Sequence, residues 1–212
     1  LTKAVGVGNE NGGTNDKIAF YQFSKEGKYE QRYVLNYADA SVGANGDTRS
    51  YTVELASSTG GEKRFIIVES ENESNFPNMS ATNTIDELLN SKTVAESGKL
   101  NPPFVMSNVK TDGKEYVTVA DVESSNNQVD VKLKRRVARF DLLNDPTESG
   151  LVIDKVYIKN RYTQGFIGDV SGNAGNISAD VLEIPVADLA NDGKSFYLYP
   201  TQLTSTLEQN EK

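Results

Sequence analysis

The chain has 212 residues, 37% of them hydrophobic, with 22 Lys+Arg against 30 Asp+Glu and a formal charge of -8. It contains no Cys, no His and no Trp, which excludes thiol and imidazole nucleophiles, every Ser-His-Asp arrangement and the usual zinc and haem ligands. The acidic balance argues against nucleic acid or an anionic lipid surface as partner, and no apolar run approaches the roughly 18–20 residues that cross a bilayer.

Leu1 opens the chain with no Met and no basic-then-apolar leader, so a targeting segment is expected to have been removed or to lie outside this stretch. Gly6, Gly8, Gly12 and Gly13 invite a phosphate-loop reading. The dinucleotide fingerprint needs a preceding strand and a third glycine where Asn11 stands, so these residues read as a flexible N-terminal segment instead.

Residues 17–23 alternate as a strand, with Ile18 and Phe20 on one face and Tyr21 and Phe23 on the other. A turn at 25–28 separates it from a strand at 33–35. A second turn at 44–47 precedes the alternation Tyr51, Val53, Leu55, and Gly60-Gly61 marks a third. The unbroken run Phe65-Ile66-Ile67-Val68 predicts a strand buried on both faces.

Residues 69–83 read as a loop. Thr84 and Glu87 then form a capping box over Ile85, Leu88 and Leu89, which predicts one short helix. After a second loop at 95–103, an Asp112-Gly113 turn leads to a strand at Tyr116, Val117 and Val119. Val129, Val131 and Leu133 alternate with Asp130, Lys132 and Lys134, and further strands are expected at 137–143, 151–158 and 196–199. A weaker helical turn is expected at 186–190. The stretch 144–150 is the candidate boundary between a domain at 1–145 and a second at 146–212.

Three constellations carry possible chemistry. Asp169, Ser171, Asn173 and Asp180 mimic part of a calcium loop, but Ala174 and Asp180 occupy positions that require Gly and Glu, so a turn-rich loop is the better reading. Lys132, Lys134, Arg135, Arg136 and Arg139 read as a solvated strand face with acidic cross-strand partners rather than a nucleic-acid stripe, since no aromatics interleave them. Paired carboxylates for a hydrolase are available by count, without an arrangement to single them out. The sequons at Asn72, Asn78 and Asn176 are expected by chance in an Asn/Ser-rich chain.

Several segments, in order, resemble the bacterial fimbrillin family, the subunits of type V pili of the Bacteroides and Porphyromonas kind. They are Val5 to Glu10, Ile18 to Phe23, Lys63 to Val68, Thr84 to Leu88, Phe104 to Ser107, Val131 to Asp141, Leu151 to Asn160 and Phe196 to Pro200. The strand containing Arg136, Val137, Ala138 and Arg139 is the most similar.

The resemblance implies a mostly-β fold of two transthyretin-like antiparallel β-sandwich domains with one short helix. It implies a non-enzymatic fimbrium subunit at the cell surface or outer membrane, from a precursor that is lipid-anchored. It also implies assembly with other pilus subunits by strand exchange, with host or bacterial surface glycans or proteins as further partners. Ile18, Phe20, Val53, Leu55, Ile66 and Val68 are the candidates to line the strand-exchange groove or the core beneath it. No catalytic residue, cofactor or metal is assigned.

The polar run 205–212 closes the chain where the family continues, so the second domain is expected to be incomplete and to lack an apolar donor segment. A surface adhesin or carbohydrate-binding module, with loops 69–83 and 161–180 as contacts, is the alternative reading. A carboxylate-dependent hydrolase is the third.

Overall fold

The computed structural model describes residues 17–43, 48–55, 61–122, 127–143, 146–170, 177–189 and 194–200. The N-terminal glycines and the polar run 205–212 lie outside these residues.

The alternating segment at 17–23 forms β1 (Lys17–Ser24), which turns back as β2 (Tyr29–Asn36). The predicted turn between them closes as Ser24 N–H donates to Lys28 O at 2.8 Å, and Gly27 takes φ +81°, where an L side chain would be strained. A short ladder of β3 (Ser41–Val42) and β4 (Arg49–Ser50) follows. Then comes β5 (Lys63–Ser70), buried from Phe65 to Ser70 as the continuous apolar run predicts.

The predicted helix is α1 (Ile85–Leu89). Thr84 Oγ1 accepts from Glu87 N–H at 3.3 Å, and Glu87 Oε2 accepts from Thr84 N–H at 2.6 Å, so the capping box forms as read. Three short strands, β6 (Met106–Asn108), β7 (Val117–Val119) and β8 (Leu133–Arg135), complete the first sheet. The rest of the chain supplies β9 (Ala138–Asp141), α2 (Pro146–Ser149), β10 (Lys155–Ile158), β11 (Leu182–Pro185) and β12 (Ser195–Leu198).

The architecture is mostly β, with antiparallel pairing between these strands, as the β-sandwich class requires. One sheet runs in the order β2-β1-β5-β6-β8, with β7 also on β5. Two-stranded ladders join β10 to β11 and β9 to β12.

Strand β5 shares one edge between two partners: Val68 and Glu69 pair with β6, whereas Lys63 to Phe65 pair with β7. The gap between them leaves two ladder groups to satisfy. The buried Asn108 amide does so, accepting from Ile67 N–H at 2.8 Å and donating to Phe65 O at 3.3 Å.

Several elements differ from the sequence reading in extent. Residues 51–55 stand outside any strand, and β8 begins at Leu133 rather than Val129 because its partner β6 is only three residues long. Residues 151–154 likewise precede β10. The stretch read as a boundary contains α2, one helical turn opened by Pro146, whose fixed φ suits the first helical position. The weaker turn expected at 186–190 is a 3₁₀ turn over Val186–Asp188.

Contacts cross the candidate boundary at residue 145. Strand β12 pairs with β9, and Ile167 joins the core cluster that contains Ala19 and Val68. A separate apolar cluster gathers Leu100, Phe104, Tyr162, Tyr197 and Tyr199, with the Phe104 and Tyr197 ring centroids 4.4 Å apart.

Candidate functional site

The register of β1 on β5 divides the main sheet into two faces. Phe20 lies opposite Ile67 and Ala19 opposite Val68. Side chains alternate along a strand, so one face carries Ala19, Tyr21, Phe23, Ile66 and Val68, and the other carries Ile18, Phe20, Phe65 and Ile67.

The first face is closed. Phe76, Ile85, Leu88 and Ile167 pack over it, and none of these nine side chains is more than 7% exposed. The loop after β5 and helix α1 form most of this roof. Tyr21 adds a polar anchor by donating from its hydroxyl to Pro77 O at 3.0 Å. Burial pushes the Tyr21 phenol up to about 12, against an opposing influence from Arg32.

The second face is half-open. Its buried floor is Ile18, Phe65, Ile67, Met106, Val119 and Leu133, with Phe20, Leu35, Tyr51, Leu55 and Val131 half-buried around it. The extended segment 51–55 rests on it, and Tyr51 meets Phe20 edge-on with centroids 5.7 Å apart. The Tyr51 hydroxyl is buried without a hydrogen-bond partner. Burial, and next the charge of Glu69, hold that phenol in its protonated form well above its ordinary range.

One end of the open face is polar. A β-bulge between Gln22 and Phe23 brings in Glu30, which accepts from Gln22 Nε2 at 2.7 Å and from Lys63 Nζ at 2.6 Å. Lys63 is 4% exposed, so this carboxylate compensates a cation taken out of water. The floor of the face therefore runs from apolar at Ile18 to charged at Lys63.

Of the six groove-or-core candidates, Ile18, Phe20 and Leu55 belong to the open face. Ile66 and Val68 belong to the closed one, each 0% exposed. Val53 is half-buried in the extended segment beside Leu55. The structure thus divides a set that the sequence had grouped.

The basic cluster needs two corrections. Lys132 is exposed, and Lys134 and Arg139 pair with Asp169 and Asp141, as a solvated face would have it, but Asp169 lies outside any strand and Asp141 is on the same strand as Arg139, so neither is a cross-strand partner. Arg136 is instead 5% exposed, and its Nη2 meets Glu115 Oε1 at 2.7 Å. The alternation breaks between the end of β8 at Arg135 and the start of β9 at Ala138, which turns Arg136 inward. No period in the sequence carries that break. The nearest signal was the abrupt change from alternating residues to Arg135-Arg136-Val137.

The turn-rich loop read at 169–180 is described only at its ends. Asp169 bonds Lys134, which holds its carboxyl below the ordinary range, and Asp180 is exposed in a turn. Ser171 and Asn173 lie outside the described residues.

Neither a family model nor a curated protein sequence matches the chain. Solved structures do. A fimbrial assembly protein from Parabacteroides distasonis is 16% identical with a TM-score of 0.50, over 89% of this chain and 70% of that one. A candidate polysaccharide-binding protein from Bacteroides thetaiotaomicron is 16% identical with a TM-score of 0.51, over 92% and 66%. A candidate adhesin from Bacteroides ovatus is also 16% identical, with a TM-score of 0.49 over 90% and 62%. The chain spans about two thirds of the length of these structures, and at such identity the first two show a shared fold.

Proposed function

We propose that this chain is a subunit of a cell-surface fimbria or adhesin-type assembly, and that its half-open sheet face receives an extended segment from a neighbouring subunit. The observation that carries the reading is the ring of half-buried apolar side chains, Phe20, Leu35, Tyr51 and Leu55, around a buried floor. An incoming strand satisfies backbone groups along a sheet edge while alternate side chains fill apolar gaps. Strand β2 offers such an edge, since it pairs with β1 and with no other strand among the described residues. The Tyr51 hydroxyl could donate to a carbonyl of the arriving segment, removing an orphaned donor.

The fold shared with a fimbrial assembly protein supports this assignment, as does the ordered resemblance of the sequence to fimbrillins. No helix among the described residues is long and apolar enough to cross a membrane. In this reading the chain binds and assembles, and it catalyses nothing.

Phe20→Glu tests the seat. The substitution places a carboxylate on the open face and leaves the closed face untouched. Polymers or hetero-complexes formed with other surface subunits should be lost by size-exclusion chromatography and electron microscopy, while far-UV circular dichroism stays native. Unchanged assembly by the folded variant would sink the proposal. Glycan-array binding that persists in the unassembled Phe20→Glu chain would favour a carbohydrate-binding module instead, a role in which the structure from Bacteroides thetaiotaomicron offers a fold precedent.

A further inference from the structure

Residues 165–169, Gly-Phe-Ile-Gly-Asp, cross the closed face without entering a strand. Of their side chains, only Ile167 enters the core cluster. The segment is otherwise held by polar contacts along both sides. On the α1 side, Gly165 O accepts from Thr93 N–H at 2.9 Å, Ile167 N–H donates to Ser91 O at 2.9 Å, and Gly168 N–H donates to Leu89 O at 2.8 Å. Gly168 sits so close that an added Cβ would lie 2.6 Å from Leu89 Cβ.

On the sheet side, the buried polar contacts of the segment meet in one knot. Glu115 Oε1 accepts both Asp169 N–H at 2.6 Å and Arg136 Nη2 at 2.7 Å. Arg136 Nη2 also reaches Asn108 O at 2.9 Å, and its Nε donates to Ser107 Oγ. The Ser107 hydroxyl in turn donates to Ile167 O. Glu115 and Arg136 are each 5% exposed. Lys134 joins from outside, 2.5 Å from Asp169 Oδ2.

A buried ion pair is a poor source of net stability, because desolvation consumes most of its attraction. It is a strong constraint on geometry, because losing one partner strands the other charge in the interior. Here the pair bonds the backbone of a segment whose β-pairing among the described residues is a single isolated bridge, Phe166 to Lys92. We propose that residues 165–169 are a strap, that the Ser107–Arg136–Glu115 knot is its catch, and that releasing the catch lifts Ile167 from the closed face while the β1–β5 ladder stays formed. The strap can then open by itself, below the free energy of global unfolding.

Native-state hydrogen exchange of the full chain tests this. In the unaltered protein, the Ile167, Gly168 and Asp169 amides are expected to exchange through a common local opening, faster than the amides of Ala19, Tyr21 and Phe23. Glu115→Gln should then lower protection at the three strap amides roughly a hundredfold, with the β1 amides changed far less. An equal fall at every core amide, or no fall at the strap, overturns the proposal.

If Glu115→Gln does not fold, the double variant Glu115→Met/Arg136→Met removes both buried charges. It should keep β1 protected and leave the strap amides weakly protected, because Asp169 N–H has lost its acceptor. Strap protection equal to that of the unaltered protein in the double variant would equally overturn it.

Discussion

The two faces of the main sheet share strands, composition and even alternate residues of β1, yet they are finished differently. The closed face is roofed by its own chain: a capped helix, the loop after β5 and the strap bury Ala19, Tyr21, Phe23, Ile66 and Val68 together. The open face has the same kind of floor, but its rim of Phe20, Leu35, Tyr51 and Leu55 is half-buried and is crossed by an extended segment that forms no strand. Burial of equal apolar area is equally favourable on either side. What separates the faces is therefore the roof.

Substitutions on the two faces should separate accordingly. Ile66→Ala, on the closed face, removes a fully buried side chain from a packed cluster and should cost about 3 kcal/mol in urea denaturation. Gly168→Ala presses a methyl group against Leu89 Cβ and Leu89 O, 2.6 and 2.9 Å away, and should cost about 2 kcal/mol through overpacking under the roof.

Phe20→Ala, on the open face, should cost only about 1.5 kcal/mol, because its ring is only partly buried. A cost for Phe20→Ala as large as that of Ile66→Ala would erase the distinction between the faces.

The smallest effect at neutral pH is that of Tyr21→Phe, about 1 kcal/mol for the lost hydroxyl bond to Pro77 O. Its pH signature is the sharper test. The folded chain keeps the Tyr21 proton to about 12, whereas an unfolded tyrosine loses it near 10. Stability from this group is therefore complete below pH 10 and declines as pH rises from 10 towards 12. Tyr21→Phe should remove that part of the alkaline decline. An absorbance titration showing Tyr21 ionising near pH 10 in the folded chain would contradict the closure of its face.

Much of this was legible from local pattern. The alternation of residues 17–23, the unbroken apolar run at 65–68, the Asp112-Gly113 turn with both residues at positive φ, and the Thr84–Glu87 capping box all act within a few residues of chain. Short-range chemistry suffices to write them. Where the pattern overran, at 129–132 and at 151–154, a strand partner had run out, and partner length is not a local property.

The candidate site was legible only in part for the same reason. Ile18 and Phe20 were correctly separated from Tyr21 and Phe23 by parity within one strand. Grouping them with Ile66 and Val68 required the register of β5 against β1, and a shift of one residue exchanges the faces.

Sequence alone determined the mostly-β class, the turns at 25–28 and 111–114 and the capped helix α1, because each follows from propensity and hydrogen-bond needs that neighbours in the chain can meet. Tertiary structure decided which apolar residues share a face, which face is roofed, and that one arginine of a basic run lies buried against Glu115. Those outcomes depend on contacts between residues distant in the chain, such as Arg136 with Glu115, 21 positions apart, and Ser107 with Ile167, 60 positions apart. No local periodicity encodes them; packing, desolvation and the need to satisfy buried backbone groups select them together.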